Sequence, residues 1–347
     1  MIKPIPKPIS GGLILSYKCP SACRHCMYAC SPQWRADWMP EEMLESILSQ
    51  LAGKILPAPY GPDTTSLNHG LHFTGGEPFL NFPLLCRAVE LATQLGIPST
   101  FVETNAYWCL DDRSTREKLD TLKRKGLRGI LISVNPFYLE YVPFERTVRA
   151  TRLSREVFGQ NTMVYQVPYF QRFLEWGIQG TMAFEDYLRL ESPKDFARHA
   201  EFFVMGSAPY KLKEFLRSIY PLRRAQAFVR EPCLMPFLRP LHNHFDNYGN
   251  YVPGFCAGVT LGDCRKLDEL LREGVDTARF PTLGLLMEED LKALLALARE
   301  RGYQESAPGY HSKCHLCMDL RKHLALTGDY PELSPREFYF QLGSNSQ

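Results

Sequence analysis

Through the first two thirds of the chain, short β-branched or apolar runs alternate with longer stretches in which apolar residues recur every three or four positions. That order admits few architectures, because each strand needs a crossover helix to reach a parallel neighbour and each helix must lay one face on the sheet. Strands are predicted near Leu13 to Tyr17, Leu71 to Phe73, Thr100 to Glu103, Ile130 to Val134, Thr162 to Val167 and Glu201 to Met205. Helices are predicted over Glu41 to Leu51, Pro83 to Leu95, Ser114 to Arg124 and Thr147 to Val157, with Asp112 and Ser114 as candidate caps of the third. Six strand-helix units make an incomplete barrel, so the expected fold class is α/β, a partial (β/α)6 TIM-like barrel. The Pro- and Gly-rich segment from Lys54 to Gly70 reads as an excursion from it.

A chain of 347 residues suits one large domain with a small appendage. The barrel is expected over residues 1–208, followed by a connecting helix and linker over 209–232. A small C-terminal domain of a β-hairpin plus helices is expected over 233–326 and a tail over 327–347. Runs His242 to Phe245 and Tyr251 to Val252 flank a turn at Gly249 and suggest the hairpin. Helical patterns at Lys211 to Ile219, Leu267 to Arg272 and Glu289 to Arg301 complete this part.

Apolar residues at 45% and charged residues at 22% exclude a disordered, collagenous or coiled-coil chain. Forty basic residues against thirty-eight acidic ones leave a net charge of +2, so no overall field calls for nucleic acid or an anionic membrane. No apolar stretch approaches the ~18–20 residues that cross a bilayer, and the opening stretch MIKPIPKPIS lacks the apolar core of a signal peptide. A cytoplasmic location is expected. Eleven cysteines in such a chain read as metal ligands rather than disulfides.

Directly after the first predicted strand comes Cys19-Pro20-Ser21-Ala22-Cys23-Arg24-His25-Cys26. Three thiolates on one short loop can hold three irons of a cubane and leave the fourth open. Cys30, four residues past Cys26, reads as a packed thiol turned away from the loop, and His25 as a solvent-facing or hydrogen-bonding group. The triplet resembles the signature of the radical S-adenosylmethionine superfamily, and it falls where that family carries it. A second element agrees: His72-Phe73-Thr74-Gly75-Gly76-Glu77-Pro78 follows the second predicted strand, at the strand end where parallel sheets collect ligands.

The resemblance implies an enzyme with a [4Fe-4S] cluster on Cys19, Cys23 and Cys26 and S-adenosylmethionine on its open iron. Gly75, Gly76, Glu77 and Pro78 would meet the methionine amino group. Glu103-Thr104-Asn105 is similar to the family's Thr-Asn-Gly turn, with Ala106 in place of glycine, and Ser133 and Asn135 are candidates for the ribose or carboxylate. Arg146 or Arg149 could pair with that carboxylate or simply face solvent. Such enzymes split S-adenosylmethionine reductively to methionine and a 5′-deoxyadenosyl radical that abstracts hydrogen from substrate. They take their electron from a flavodoxin- or ferredoxin-type donor.

Cys233, Cys256, Cys264, Cys314 and Cys317 fall in the appendage, which resembles the twitch or SPASM auxiliary-cluster half-domain. One auxiliary [4Fe-4S] cluster is expected on Cys233, Cys256, Cys314 and Cys317, with Cys264 the competitor for Cys233. Cys86 reads as core and Cys109 is open. His242, His244 and Asp246 alternate and would share one strand face; Asp246 is the candidate proton acceptor, and a metal triad is the lesser reading. Tyr28, Trp34 and Trp38 either wall the pocket or pack on the first helix.

Fewer than twenty residues precede the first strand, which leaves no room for a leader-binding domain and favours a small molecule or a partner protein as substrate. Oxidation, rearrangement and coupling all fit, and a peptide- or protein-modifying maturase is the variant within the class. The alternatives are a zinc-stabilised binding protein and a redox carrier.

Overall fold

The computed structural model describes residues 1–343. Its centre is a seven-stranded sheet. Strand β1 (Ile2–Lys3) stands apart, paired antiparallel with β9 (Val275–Asp276). Five strands follow with helical connections: β2 (Ser10–Ser16), β3 (Gly70–Gly75), β4 (Phe101–Thr104), β5 (Gly129–Ser133) and β6 (Thr162–Tyr165). Each pairs in parallel with the next. The two remaining strands, β7 (Asn243–Asp246) and β8 (Tyr251–Val252), extend the sheet beyond β2, giving the order β6-β5-β4-β3-β2-β7-β8.

Strand β2 is buried at every position, as a parallel strand covered on both faces must be. The helices around it bury single stripes: Leu44, Ile47, Leu48 and Leu51 of α1 (Glu41–Leu51), and Leu85, Ala88, Val89 and Ala92 of α2 (Phe82–Gln94). Helix α3 (Asp112–Arg124) and α4 (Phe144–Phe158) complete this layer. The cap of α3 is Asp111, whose Oδ1 accepts from Ser114 N at 2.8 Å. Asp112 and Ser114, the expected caps, lie inside the first turn, where Asp112 pairs with Arg149 and Arg152.

Two expectations change. Glu201 to Met205 forms no strand. Phe202 is drawn into an aromatic cluster with Phe137, Phe196 and Phe215, while Phe203 stacks on Phe255 at 5.4 Å. Neighbouring side chains are thus pulled into different packing centres. The sixth parallel strand is instead β7, beside β2, with Gly12 opposite His244.

The hairpin expected within a separate small domain therefore belongs to the barrel sheet, although β7 and β8 do pair antiparallel as a hairpin should. Of the residues expected as a tail, 327–343 are structured as well, and 344–347 lie outside the described residues. Phe338, Tyr339 and Leu342, in and just after the helix at Arg336–Gln341, are buried. The Glu337 carboxylate accepts from Arg35 N at 2.6 Å and from the Tyr248 hydroxyl at 3.0 Å. Among the described residues no helix is long and apolar enough to cross a membrane.

Candidate active site

The carboxyl ends of β2 to β5 open on a cavity of about 730 Å³. Cys19, Cys23 and Cys26 line it from the loop after β2, Gly75 and Gly76 from the end of β3, Asn105 from the loop after β4 and Ser133 from the end of β5. The cysteine loop is folded on itself: Cys26 N donates to Cys23 O at 3.2 Å, and Cys19 N to Ser31 O at 3.2 Å. Ala29 takes a left-handed φ of 50°. The Trp34 indole donates to the Ala29 carbonyl at 2.7 Å and stacks on Tyr17 at 4.3 Å. Trp34 thus braces the loop, and Tyr28 is the neighbouring aromatic residue that reaches the cavity wall.

The glycine pair is required by close approach. A Cβ on Gly76 would lie 1.9 Å from the Lys18 carbonyl oxygen, and one on Gly75, at φ 120°, would lie 2.3 Å from that of Ser16. The contact is cemented by Gly76 N to Ser16 O at 2.8 Å and Glu77 N to Lys18 O at 3.0 Å. The β3 turn and the cysteine loop are therefore one unit.

Glu77 departs from its expected role. Its carboxylate accepts from Thr104 Oγ1 at 3.0 Å, Asn105 N at 2.9 Å and Phe79 N at 3.2 Å, and it is not on the cavity wall. It clamps the β3 and β4 loops together, and burial raises its pKa to about 7. Pro78 opens the short turn Pro78–Asn81 and is likewise off the wall. Ala106, where the family resemblance has glycine, adopts the left-handed φ of 65° that such a turn needs. Asn105 Nδ2 lies 3.3 Å from Ser21 Oγ and 3.7 Å from Cys19 Sγ.

Asn135 also stands behind the wall: its Oδ1 accepts from Phe137 N at 3.0 Å, and its Nδ2 lies 3.3 Å from His25 Nε2. His25 stacks on Phe137 at 4.6 Å, and burial lowers its pKa to about 3. Arg146 and Arg149 donate to the carbonyls of Tyr107 and Cys109 and do not line the cavity. Cys86 is buried on α2, and Cys109 is fully buried.

Cys30 is the residue that sequence reasoning set aside. It lines the cavity, with Sγ 3.4 Å from Gly75 O and its backbone N 3.4 Å from Cys26 Sγ. Its contact with Cys30, more than any other influence, lowers the Cys26 pKa to about 7, while burial pushes Cys19, Cys23 and Cys30 upward.

Asp246 is fully buried and committed to the β7–β8 turn. It accepts from the Tyr17 hydroxyl at 2.8 Å, Asn250 N at 2.9 Å and Tyr248 N at 3.0 Å. It is not on the cavity wall and faces no substrate there. His242 and His244 do line the cavity, and burial lowers the pKa of both.

A second cavity, of about 70 Å³, is lined by Cys233, Cys256, Cys314 and Cys317. Cys314 and Cys317 sit one turn apart in α5 (Lys313–Thr327), whose cap Ser312 accepts from His315 N at 3.0 Å. Glu289 holds the Cys233 loop by accepting from Cys233 N at 3.2 Å and Phe237 N at 3.1 Å. Burial lifts Cys233, Cys256 and Cys314 to about 12. Arg321 lines the same cavity and donates to Ala257 O at 2.8 Å; its buried Nε has no hydrogen-bond partner among the described residues. Lys313 lines it too. Four thiolates with two cationic side chains beside them match the charge of an anionic iron-sulfur cluster. Cys264 is elsewhere, its N donating to Gly249 O at 2.8 Å.

Cys19, Cys23 and Cys26 of the first cavity also suit a cluster with an open corner. They converge on the cavity with Cys30 beside them, and the Lys211 ammonium is close enough to favour the thiolates of Cys23 and Cys26. A parallel sheet thus carries this triplet after β2 and this glycine pair after β3, each at a carboxyl end that opens on the cavity.

No family model and no curated protein matches the chain. Solved structures do. The structure of BtrN in complex with AdoMet and 2-DOIA is 13% identical, with 79% of this chain and 89% of that one covered and a TM-score of 0.40. Native anSMEcpe with bound AdoMet and Kp18Cys peptide is 14% identical, over 91% and 97% of the two chains, at a TM-score of 0.45. Streptococcus suis SuiB bound to precursor peptide SuiA is 13% identical, over 77% and 65%, at a TM-score of 0.35.

Proposed function

We propose that this chain is a radical S-adenosylmethionine enzyme with one auxiliary cluster. The observation that carries the reading is the shared rim: Cys19, Cys23 and Cys26 and the Gly75-Gly76 turn face one cavity at the carboxyl ends of the strands. Cys19, Cys23 and Cys26 hold the [4Fe-4S] cluster, and Cys233, Cys256, Cys314 and Cys317 hold the second. When bound, the first cluster supplies one electron to the carbon-sulfur bond of S-adenosylmethionine, releasing methionine and a 5′-deoxyadenosyl radical that takes hydrogen from substrate.

The chain's own residues orient and enclose. Gly75 and Gly76 present backbone without a Cβ, which suits recognition of an amino group by carbonyl oxygen. Glu77 fixes this turn against the Asn105 loop, and Asn105 and Ser133 supply polar contacts on the cavity wall. Phe203, Phe255 and Met27 make part of that wall apolar, which helps exclude water from a radical reaction. The substrate is a small molecule or a peptide or protein side chain, converted by oxidation, rearrangement or coupling. The electron comes from a flavodoxin- or ferredoxin-type partner.

Anaerobic reconstitution tests the reading. About eight irons per chain and formation of 5′-deoxyadenosine under reduction are expected from two cubanes. Zinc without iron, or iron without cleavage, would overturn it.

A further inference from the structure

At one level of the sheet, below the cysteine rim, three strands place His72, Gly12 and His244 side by side in register. A Cβ on Gly12 would lie 2.3 Å from His72 Nε2 and 2.7 Å from the His244 ring. The glycine is what lets the two imidazoles converge. His242 joins them from the start of β7, and the three rings form a near-equilateral set with centroids 5.0, 5.4 and 5.2 Å apart. One nitrogen of each lies within 4.8 Å of the others.

The hydrogen bonds around the set leave ligand nitrogens facing inward. His242 Nδ1 is 3.2 Å from Leu67 O and His244 Nδ1 is 3.0 Å from Gly254 O, so each ring can spend Nδ1 on a carbonyl and turn Nε2 to a ligand, in His244 by giving up the Tyr28 hydroxyl that lies 3.0 Å from its Nδ1 and 3.2 Å from its Nε2. His72 Nε2 is buried with no hydrogen-bond partner among the described residues, a costly state for a ring nitrogen. Glu103 supplies the anion: its Oε1 is 3.6 Å from His72 Nε2, and its Oε2 is fixed by Thr74 Oγ1 at 2.7 Å.

We propose that His72, His242 and His244, with the Glu103 carboxylate beside His72, form a binding site for a divalent transition-metal ion at the base of the active-site cavity. Three imidazoles suit zinc, iron or cobalt in preference to calcium or magnesium. The Tyr28 hydroxyl, 3.2 Å from His244 Nε2, is displaced or recruited when the ion enters. Arg239 is an opposing charge nearby, held against the Phe255 ring at 4.5 Å, and Glu103 offsets it. Because Glu103, His242 and His244 line the cavity, open coordination positions face it and would anchor an oxygen or nitrogen donor of the substrate. The site needs none of the eleven cysteines.

The test is cobalt loading of the anaerobically reconstituted full chain, read by metal content and cobalt-edge X-ray absorption. About one cobalt per chain with nitrogen and oxygen neighbours is expected in the unmutated protein, a readout that needs no variant. His242→Ala, on the cavity wall, should weaken cobalt binding at least about tenfold while leaving the iron content unchanged. His72→Ala should do the same. No bound cobalt, a sulfur shell around it, or equal binding by His242→Ala would overturn the proposal. None of these outcomes depends on whether S-adenosylmethionine is cleaved.

Discussion

The two cysteine sites use the same ligand chemistry in different surroundings. The first places the triplet Cys19, Cys23 and Cys26, with Cys30 beside it, on the wall of a cavity of about 730 Å³, while the second sets four cysteines around one of about 70 Å³. The first is held by a loop whose shape depends on Gly76 and the Ala29 turn; the second grips two cysteines of one helix. What differs is the room left over. A cluster in the large cavity would have space for a nucleoside and a substrate beside it, whereas one in the small cavity would leave far less room and suit electron transfer or the binding of a single substrate atom.

The largest effect that would break this contrast comes from Cys26→Ala. Formation of 5′-deoxyadenosine should fall to background, with loss of about four of eight irons; retained cleavage would move the chemistry to the other site. Cys317→Ala should cost a similar share of iron but leave reductive cleavage measurable, and equal loss of cleavage would erase the distinction between the two clusters. Gly76→Ala forces a Cβ against the Lys18 carbonyl, so a destabilisation of roughly 1–3 kcal/mol is expected in chemical denaturation.

A smaller, pH-dependent effect belongs to Glu77. Its pKa in the folded, metal-free chain is about 7, above the ordinary 4.5. The folded state therefore binds the extra proton between those values, and stability should fall as pH rises from about 4.5 to 7. Glu77→Gln should remove that slope, and an unchanged slope would assign it to another group. Cys30→Ala should have the least effect, keeping about eight irons by the same count. Loss of the first cluster in this variant would show that Cys30 fills the corner left open by the triplet.

Local pattern revealed more of this molecule than long-range pairing could. The five strands from β2 to β6 and helices α1 to α4 follow from periodicity, with shifts of a few residues at their ends. Cys233, Cys256, Cys314 and Cys317, grouped from spacing and the resemblance together, line one cavity. Cys30 reads from sequence as turned away from the loop, but the chain turns through a left-handed Ala29 and Cys30 lies on the cavity wall. The true cap Asp111 lies one residue before the expected Asp112. Glu77 and Asp246 were read by residue type, but their oxygens are already taken by backbone amides and hydroxyls. His72 carried no signal of its own. Its partners lie on a strand whose position beside β2 no local pattern encodes, and the small size of Gly12 has meaning only once β3 and β7 flank it.

The pairing of position 12 with position 244 sets an order of events during synthesis. Strand β2 emerges early, yet one of its two edges waits for a neighbour made far downstream. Until then that edge offers unpaired amides and carbonyls to any other strand in reach, and closing so long a loop is slow. The newborn amino-terminal half is thus the stage most exposed to mispairing, and a chaperone would have most to shield there.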